Sequence, residues 1–258
     1  MQPWLVWTPW LKLPMWLACM MGGFALASAV LRREAVRHGL PVHEVTGLAM
    51  AAVPTVMVGA RLGHVVLEAP RTYLDAPWEV LVFTRGGFVF YAGLLAGGLL
   101  LWRWARRARL DPWALGDVFA PATAFGLAFG RLGCLAAGCC HGPPTAGGWG
   151  LRYLHRGAVP DAWLGRPLVP TPLWEALACL GLFVALDAVR RRGRRGKVLL
   201  AFLAGYGLLR AVLELWRADA ERGLWWGGLA STSQLIGVGS AGVAAIWWAR
   251  RRSACTPS

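Results

Sequence analysis

The sequence predicts an all-α, polytopic membrane protein of about seven transmembrane helices with a small external head formed by loops. Three observations carry this expectation. Of the 258 residues, 57% are hydrophobic and only 16% charged, and the mean hydropathy is +0.47. A soluble domain of this size has too little interior to hide so much apolar surface, whereas a bilayer solvates it. The apolar residues fall into runs of about 17–25, the length a helix needs to cross the hydrocarbon core. Arginine clusters separate the runs, as they do at the cytoplasmic ends of membrane helices. The net charge of +14 does not point to nucleic acid, because the arginines lie between spans and beside no aromatic readout surface. They fit orientation signals and contacts to anionic membrane lipids.

Residues 14–31 read as the first span, followed by Arg32, Arg33 and Arg37. A secretory signal carries its positive charge before the apolar core, so this reversed order predicts a retained span. Residues 47–67 read as the second, interrupted by Pro54 and carrying Arg61 and His64 near the far end. An external segment over 68–85 contains Pro70 and Pro77. Gly86-Gly87-Phe88-Val89-Phe90-Tyr91-Ala92-Gly93 opens the third span, which ends at Arg103, Arg106, Arg107 and Arg109. The fourth covers about 113–136. The loop over 139–170, rich in Gly, Pro and Trp, is expected to form a head of irregular or β structure. Pro170-Thr171-Pro172-Leu173-Trp174-Glu175 starts the fifth span, which stops at Arg190 and the basic run up to Lys197. The sixth covers 198–216 and the seventh about 231–249, before Arg250-Arg251-Arg252. No internal repeat or low-complexity linker divides the chain, so a single domain over 1–258 is expected.

With this threading, sixteen basic residues fall on one side of the membrane and eight on the other. The bias puts the richer side in the cytoplasm, the N-terminus outside and the C-terminus in the cytoplasm. The Tyr91 turn, the Glu175 turn and the end of the fourth span then lie toward the outer face.

That last end is the unusual part of the chain. Phe129-Gly130-Arg131-Leu132-Gly133-Cys134-Leu135-Ala136-Ala137-Gly138-Cys139-Cys140-His141-Gly142 joins an arginine, three cysteines and a histidine to an apolar run. A guanidinium in hydrocarbon costs about 2.5–3.5 kcal/mol even on lenient scales, so it is rarely accidental. Of six cysteines, Cys134, Cys139 and Cys140 form the one cluster, and the spacings do not make a disulfide framework. Arg210, Glu214 and Arg217 follow one another at steps of four and three, so they share a helical face. Two arginines and one glutamate leave positive charge, and Arg131 and Arg61 add to it, which suits a phosphate. Plainer readings stand beside these: an internal ion-pair ladder for the sixth span, helix-to-helix ties for Arg61 and His64, and a helix-start charge for Glu175. Tyr91 is an interface anchor by default, although the glycines around it leave room for a cavity at its hydroxyl.

Several motifs in order resemble the bacterial prolipoprotein diacylglyceryl transferase family. The segment from Arg85 through Leu94 is similar to its Gly-Gly-rich span start, where many members have histidine at the Tyr91 position. Gly130-Arg131-Leu132-Gly133 resembles the opening of its signature, and Pro170-Thr171-Pro172-Leu173-Trp174-Glu175 its Pro-Thr/Ser-Gln-Leu-Tyr-Glu motif. Gly205-Tyr206-Gly207-Leu208-Leu209-Arg210, with Glu214 and Arg217, is similar to its late Tyr-Gly-x-x-Arg-x-x-x-Glu-x-x-Arg motif. Ser233-Gln234 echoes the Gly-Gln of its last span. Where the family continues with Asn and then Asn-Gly-Glu, this chain has Cys134 and Ala137-Gly138-Cys139.

The resemblance implies transfer of the diacylglyceryl group of phosphatidylglycerol to the lipobox cysteine of a lipoprotein-precursor signal peptide, in the bacterial inner membrane. It gives Arg131 and Arg210 the phosphate, with Glu175, Glu214 and Arg217 supporting the site. Taken with the reading of the residues, Arg131, Arg210, Tyr91 and Glu175 are the catalytic candidates, and Arg131, Gly133, Gly142, Glu214, Arg217 and Arg61 the substrate-binding ones. The resemblance calls for no cofactor and no metal. Two other readings remain open: a non-catalytic paralogue that binds lipid or a partner, and a thiol or metal site made by Cys134, Cys139, Cys140 and His141.

Overall fold

The computed structural model describes residues 4–8, 11–67, 70–82, 89–154, 159–191, 195–218, 224–225 and 230–253. For 4–8, 11–13, 90–91, 224–225 and 251–253 the backbone alone is described. The chain opens on an antiparallel hairpin, β1 (Trp4–Thr8) and β2 (Leu11–Pro14). Helices α1 (Met15–Arg37) and α2 (Val42–Leu67) follow. The expected external segment holds a short α3 (Pro70–Asp75) and a 3-10 turn (Pro77–Leu81). Then come α4 (Phe90–Arg107) and α5 (Pro112–Ala137), and a head carrying the ladder β3 (Leu151–Arg152) with β4 (Pro167–Leu168). Helix α6 (Thr171–Arg190) precedes α7 (Lys197–Leu213), which tightens into a 3-10 turn (Glu214–Trp216). The ladder β5 (Leu224–Trp225) with β6 (Ala230–Ser231) leads into α8 (Thr232–Ser253).

Among the described residues, five stretches are long and apolar enough to cross a membrane: α1, α2, α5, α6 and Lys197–Trp216. Large apolar side chains such as Leu95, Val184 and Val243 stand exposed in mid-helix, as on a face that meets lipid. The chain is therefore a helical, multi-pass membrane protein. Helices α4 and α8 match the third and seventh expected spans. Their apolar cores are shortened by Arg103, Arg106 and Arg107 at one end of α4, and by Thr232, Ser233 and Gln234 at one end of α8. Two helices outrun their apolar cores. Helix α1 continues through Arg32 and Arg33 to Arg37, whose Nη1 pairs with Glu34 at 2.6 Å. Helix α2 begins at Val42, with Glu44 in its first turn accepting a hydrogen bond from Trp104 Nε1 at 2.8 Å. Hydropathy marks where the bilayer ends, and a charged helix can continue into water.

The chain divides into two compact units, residues 31–115 and residues 1–30 with 116–258. In the first, α2 and α4 approach through small residues: a side chain at Gly59 or Gly63 would meet Ala96 or Ala92. Such contact replaces the hydrophobic drive that lipid removes. Buried Arg61 donates from Nε to the Val80 carbonyl at 3.2 Å and from Nη2 to those of Glu79 and Val82, and its guanidinium lies over the Tyr73 ring. It thereby ties the end of the 3-10 turn to α2, adding to the Glu79 carbonyl a second donor beside the Val82 N–H.

In the second unit, Ala120 and Ala124 of α5 pack with Leu182, Leu186 and Val198 of α6 and α7. Helices α7 and α8 cross at Gly207 and Gly237, where a side chain on either would strike the other's carbonyl. The head has its own small core of Tyr153, Val159 and Leu168, flanked by Trp163 and Leu164.

Candidate functional site

The second unit gathers polar side chains at one end of its helices. Helix α5 brings Arg131 two turns before its C-terminus, and α7 brings Arg210 one turn before its own. Helix α6 runs the opposite way, so Glu175 in its second turn lies at the same level. The prolines around the α6 start fit there because the first helical N–H groups need no internal partner. Helix α8 starts with a capping box, Ser231-Thr232-Ser233-Gln234: the Ser231 N–H donates to Gln234 Oε1 at 2.9 Å and the Gln234 N–H to Ser231 Oγ at 3.2 Å. The box sets Ser233 opposite Arg210.

The charges alternate along a chain of five residues. Arg131 Nη1 lies 2.9 Å from Glu175 Oε2, and Arg210 Nη1 lies 2.7 Å from Glu175 Oε1. Arg210 Nη2 reaches Glu214 Oε2 at 2.6 Å and donates to Ser233 Oγ at 3.3 Å. Arg217 Nη1 stands 3.8 Å from Glu214 Oε2. Both glutamates are buried, whereas the Arg131 and Arg210 side chains keep 17% and 14% of their surface open. Among the described residues, each carboxylate is thus held between two guanidinium groups. Arg131 and Arg210 remain partly reachable and are already oriented, which is what binding a phosphate requires.

The loop after α5 lies alongside. Gly138 has φ +74° and Cys140 φ +60°, so the chain folds back on the helix end. Thr171 Oγ1 donates to the Cys140 carbonyl, the Gly142 N–H donates to the Val169 carbonyl at 2.9 Å, and the Ala218 N–H donates to the His141 carbonyl at 3.4 Å. The sulfur atoms of Cys134, Cys139 and Cys140 lie within 4.8 Å of one another. Hydrogen bonds from the Cys134 and Cys139 thiols, with Arg217 and Arg131 near, draw the Cys140 thiol well below its ordinary range. The proton that Cys139 shares with Cys134 and Cys140, together with burial, pushes the Cys139 thiol up. Burial pushes the Tyr153 hydroxyl up to about 12.

Of the residues singled out from sequence, Arg131, Glu175, Arg210, Glu214 and Arg217 come together here, with Cys134, Cys139 and Cys140 beside them. Gly133 is buried against the backbone of Trp16 in α1, and Gly142 sits so close to the Trp216 carbonyl and Val169 that no side chain fits. His141 is buried with its ring edge toward Trp163 at 5.5 Å and its Nδ1 3.0 Å from the Gly142 carbonyl oxygen. It is not one of the three close thiol ligand positions. Arg61 belongs to the other unit and is engaged as described above. Tyr91 starts α4, but its side chain lies outside the described residues, as do Arg85, Gly86, Gly87 and Phe88. Ser233 and Thr171 were not singled out for the site. The Ser-x-x-Gln signature at 231–234 was the available signal for the first.

A multi-pass helical protein with a partly open cluster of arginines at one end of its bundle belongs to the class that handles anionic lipids within the membrane. Comparison with known proteins narrows the class. The profile of the prolipoprotein diacylglyceryl transferase family matches residues 4–250, and the chain belongs to that family. It is 35% identical over 207 residues to the phosphatidylglycerol–prolipoprotein diacylglyceryl transferase of Geobacter sulfurreducens, covering 78% of this chain and 77% of that one. The protein of the same name from Polaromonas sp. is 33% identical over 255 residues, covering 91% and 87%. That from Enterococcus faecalis is 30% identical over 209 residues, covering 78% and 73%. Fold and family together make this a multi-pass protein of the bacterial inner membrane.

Proposed function

We propose that the protein transfers the diacylglyceryl group of phosphatidylglycerol to the thiol of the lipobox cysteine in a lipoprotein-precursor signal peptide. The observation that carries this reading is the alternating chain from Arg131 to Arg217, in which the Arg131 and Arg210 guanidinium groups are oriented by buried carboxylates and stay partly open. A carbon–sulfur bond forms as the bond from the glyceryl carbon to its phosphate oxygen breaks. The thiol proton departs, and glycerol phosphate leaves with the electron pair. Charge grows on the departing phosphate, so Arg131 and Arg210 meet it more strongly as the bond lengthens. Glu175 orients both guanidinium groups at once, and Glu214 and Ser233 hold the far side of Arg210. The reading keeps Tyr91 as a catalytic residue, and Gly133, Gly142 and Arg61 as substrate-binding ones. It takes residues 1–258 as one functional domain, since the family match runs through both compact units.

The same reading adds α4 and α8 to the five apolar stretches, giving seven spans with the N-terminus outside. The site and head then face the outer leaflet. Labelling of single cysteines introduced near Trp149 and near Arg194 tests this: they should react from opposite sides, and reaction from one side would overturn it. Transfer itself is tested by complementation. The gene should rescue lipidation and growth in a strain depleted of its own diacylglyceryl transferase. Membrane insertion without rescue or transfer would mean a lipid-binding paralogue instead.

A further inference from the structure

Beside the ion-pair chain, the end of α5 and the loop after it build a second cluster, to which the transfer reading above gives no role. Among the described residues, Cys134, Cys139 and Cys140 are the one group of three or more potential metal ligands whose donor atoms converge, all within 4.8 Å. The convergence depends on an uncommon backbone. Cys140 holds φ +60°, a left-handed conformation that costs a residue with a side chain about 1–2 kcal/mol. It persists because Thr171 Oγ1 binds the Cys140 carbonyl and because the Cys139 N–H donates to the Cys134 carbonyl at 3.1 Å. Tyr153 closes the same turn. It is 4% exposed, its ring lies against Gly138, and its hydroxyl has no hydrogen-bond partner among the described residues.

We propose that Cys134, Cys139 and Cys140 form a three-thiolate site for a soft, thiophilic cation, with cuprous ion the best match. Thiolates select soft metals, and cuprous ion accepts a set of three sulfur donors. A structural zinc site is closed by a fourth protein ligand, and His141 is turned toward Trp163 instead. A disulfide would use two of the sulfurs, would need an oxidant and would leave the third idle; the adjacent Cys139 and Cys140 pair only with strain. A cuprous ion on three thiolates leaves a net negative group. Arg131, one turn before Cys134 on α5, carries charge of the opposite sign on the same helical face. The site goes beyond the transfer reading and does not depend on it, because its readout is metal content.

The test uses the full chain, purified in detergent, reduced and kept under inert gas. It is titrated with cuprous ion against a chromophoric cuprous chelator, followed by alkylation and peptide mass spectrometry. One copper per chain should be retained with an ultraviolet thiolate-to-copper absorption, and Cys134, Cys139 and Cys140 should be protected from alkylation while Cys19 stays as reactive as before. Cys134→Ser should lose the bound copper, whereas Cys19→Ser should retain it. No copper held by the parent protein in competition would overturn the proposal whether or not the variants fold. So would labelling at the three cysteines that copper leaves unchanged, or a disulfide between two of them in freshly purified protein.

Discussion

The two ends of helix α5 bury charge in opposite ways. Near its start, Asp117 is 1% exposed and accepts hydrogen bonds from the backbone N–H groups of Gly196 and Leu199, the latter at 2.8 Å. Those are donors that the first turn of α7 cannot satisfy internally, and the carboxylate also complements the helix dipole. The charge is used up in tying α5 to α7. Near the other end, Arg131 enters a chain of guanidinium groups and carboxylates in which Arg131 and Arg210 keep part of their surface open. One end shows what a buried charge looks like when it only holds helices together. The other leaves the oriented Arg131 and Arg210 guanidinium groups partly open, as the proposed phosphate site requires.

The comparison predicts that substitutions at the two ends separate stability from activity. The largest effect is expected at Glu175, the carboxylate shared by Arg131 and Arg210. Glu175→Gln leaves both arginines without their common anion. Loss of a buried partner costs about 3–5 kcal/mol, so transfer should fall by at least about a hundredfold together with a lowered melting temperature in detergent. Transfer near the parent rate in this variant would break the contrast, because Glu175 would then resemble an ordinary helix-start charge. Asp117→Ala should have the smaller and purely structural effect. It strands two backbone donors at a cost of about 1–3 kcal/mol, lowering the melting temperature while the surviving folded protein keeps its turnover per molecule. A turnover defect as large as that of Glu175→Gln would erase the distinction between the two ends.

Much of this molecule was legible in its sequence, and the limits have physical causes. Apolar runs and arginine clusters located α1, α2 and α4 to α8 within a few residues, because the bilayer imposes a length that composition records. The end of α1 and the start of α2 were missed by several residues, since a helix in water needs no apolar signature. The hairpin of β1 and β2 carried no turn signal strong enough to announce it. At the site, the face shared by Arg210, Glu214 and Arg217 followed from helical spacing alone. The bridging role of Glu175 did not, because it depends on α6 lying against both α5 and α7. The meeting of Cys134 with Cys139 and Cys140 was equally hidden, since it requires a left-handed residue at Cys140 that nothing in its side chain favours.

The central claim is that the open charge of this chain serves a phosphate rather than the fold. It is tested most directly by measuring phosphatidylglycerol binding and diacylglyceryl transfer for Arg131→Lys and Arg210→Lys in parallel, each checked for insertion and melting temperature. Lysine keeps the charge but loses the planar fork that can hold a carboxylate and a phosphate together. If removal of one oriented donor is the guide, the loss should be roughly 3–4 kcal/mol, or a hundred- to a thousandfold in transfer, in protein that still inserts and folds. Both variants binding the lipid and turning over like the parent would contradict the account, and would leave the five charged residues as a structural ladder.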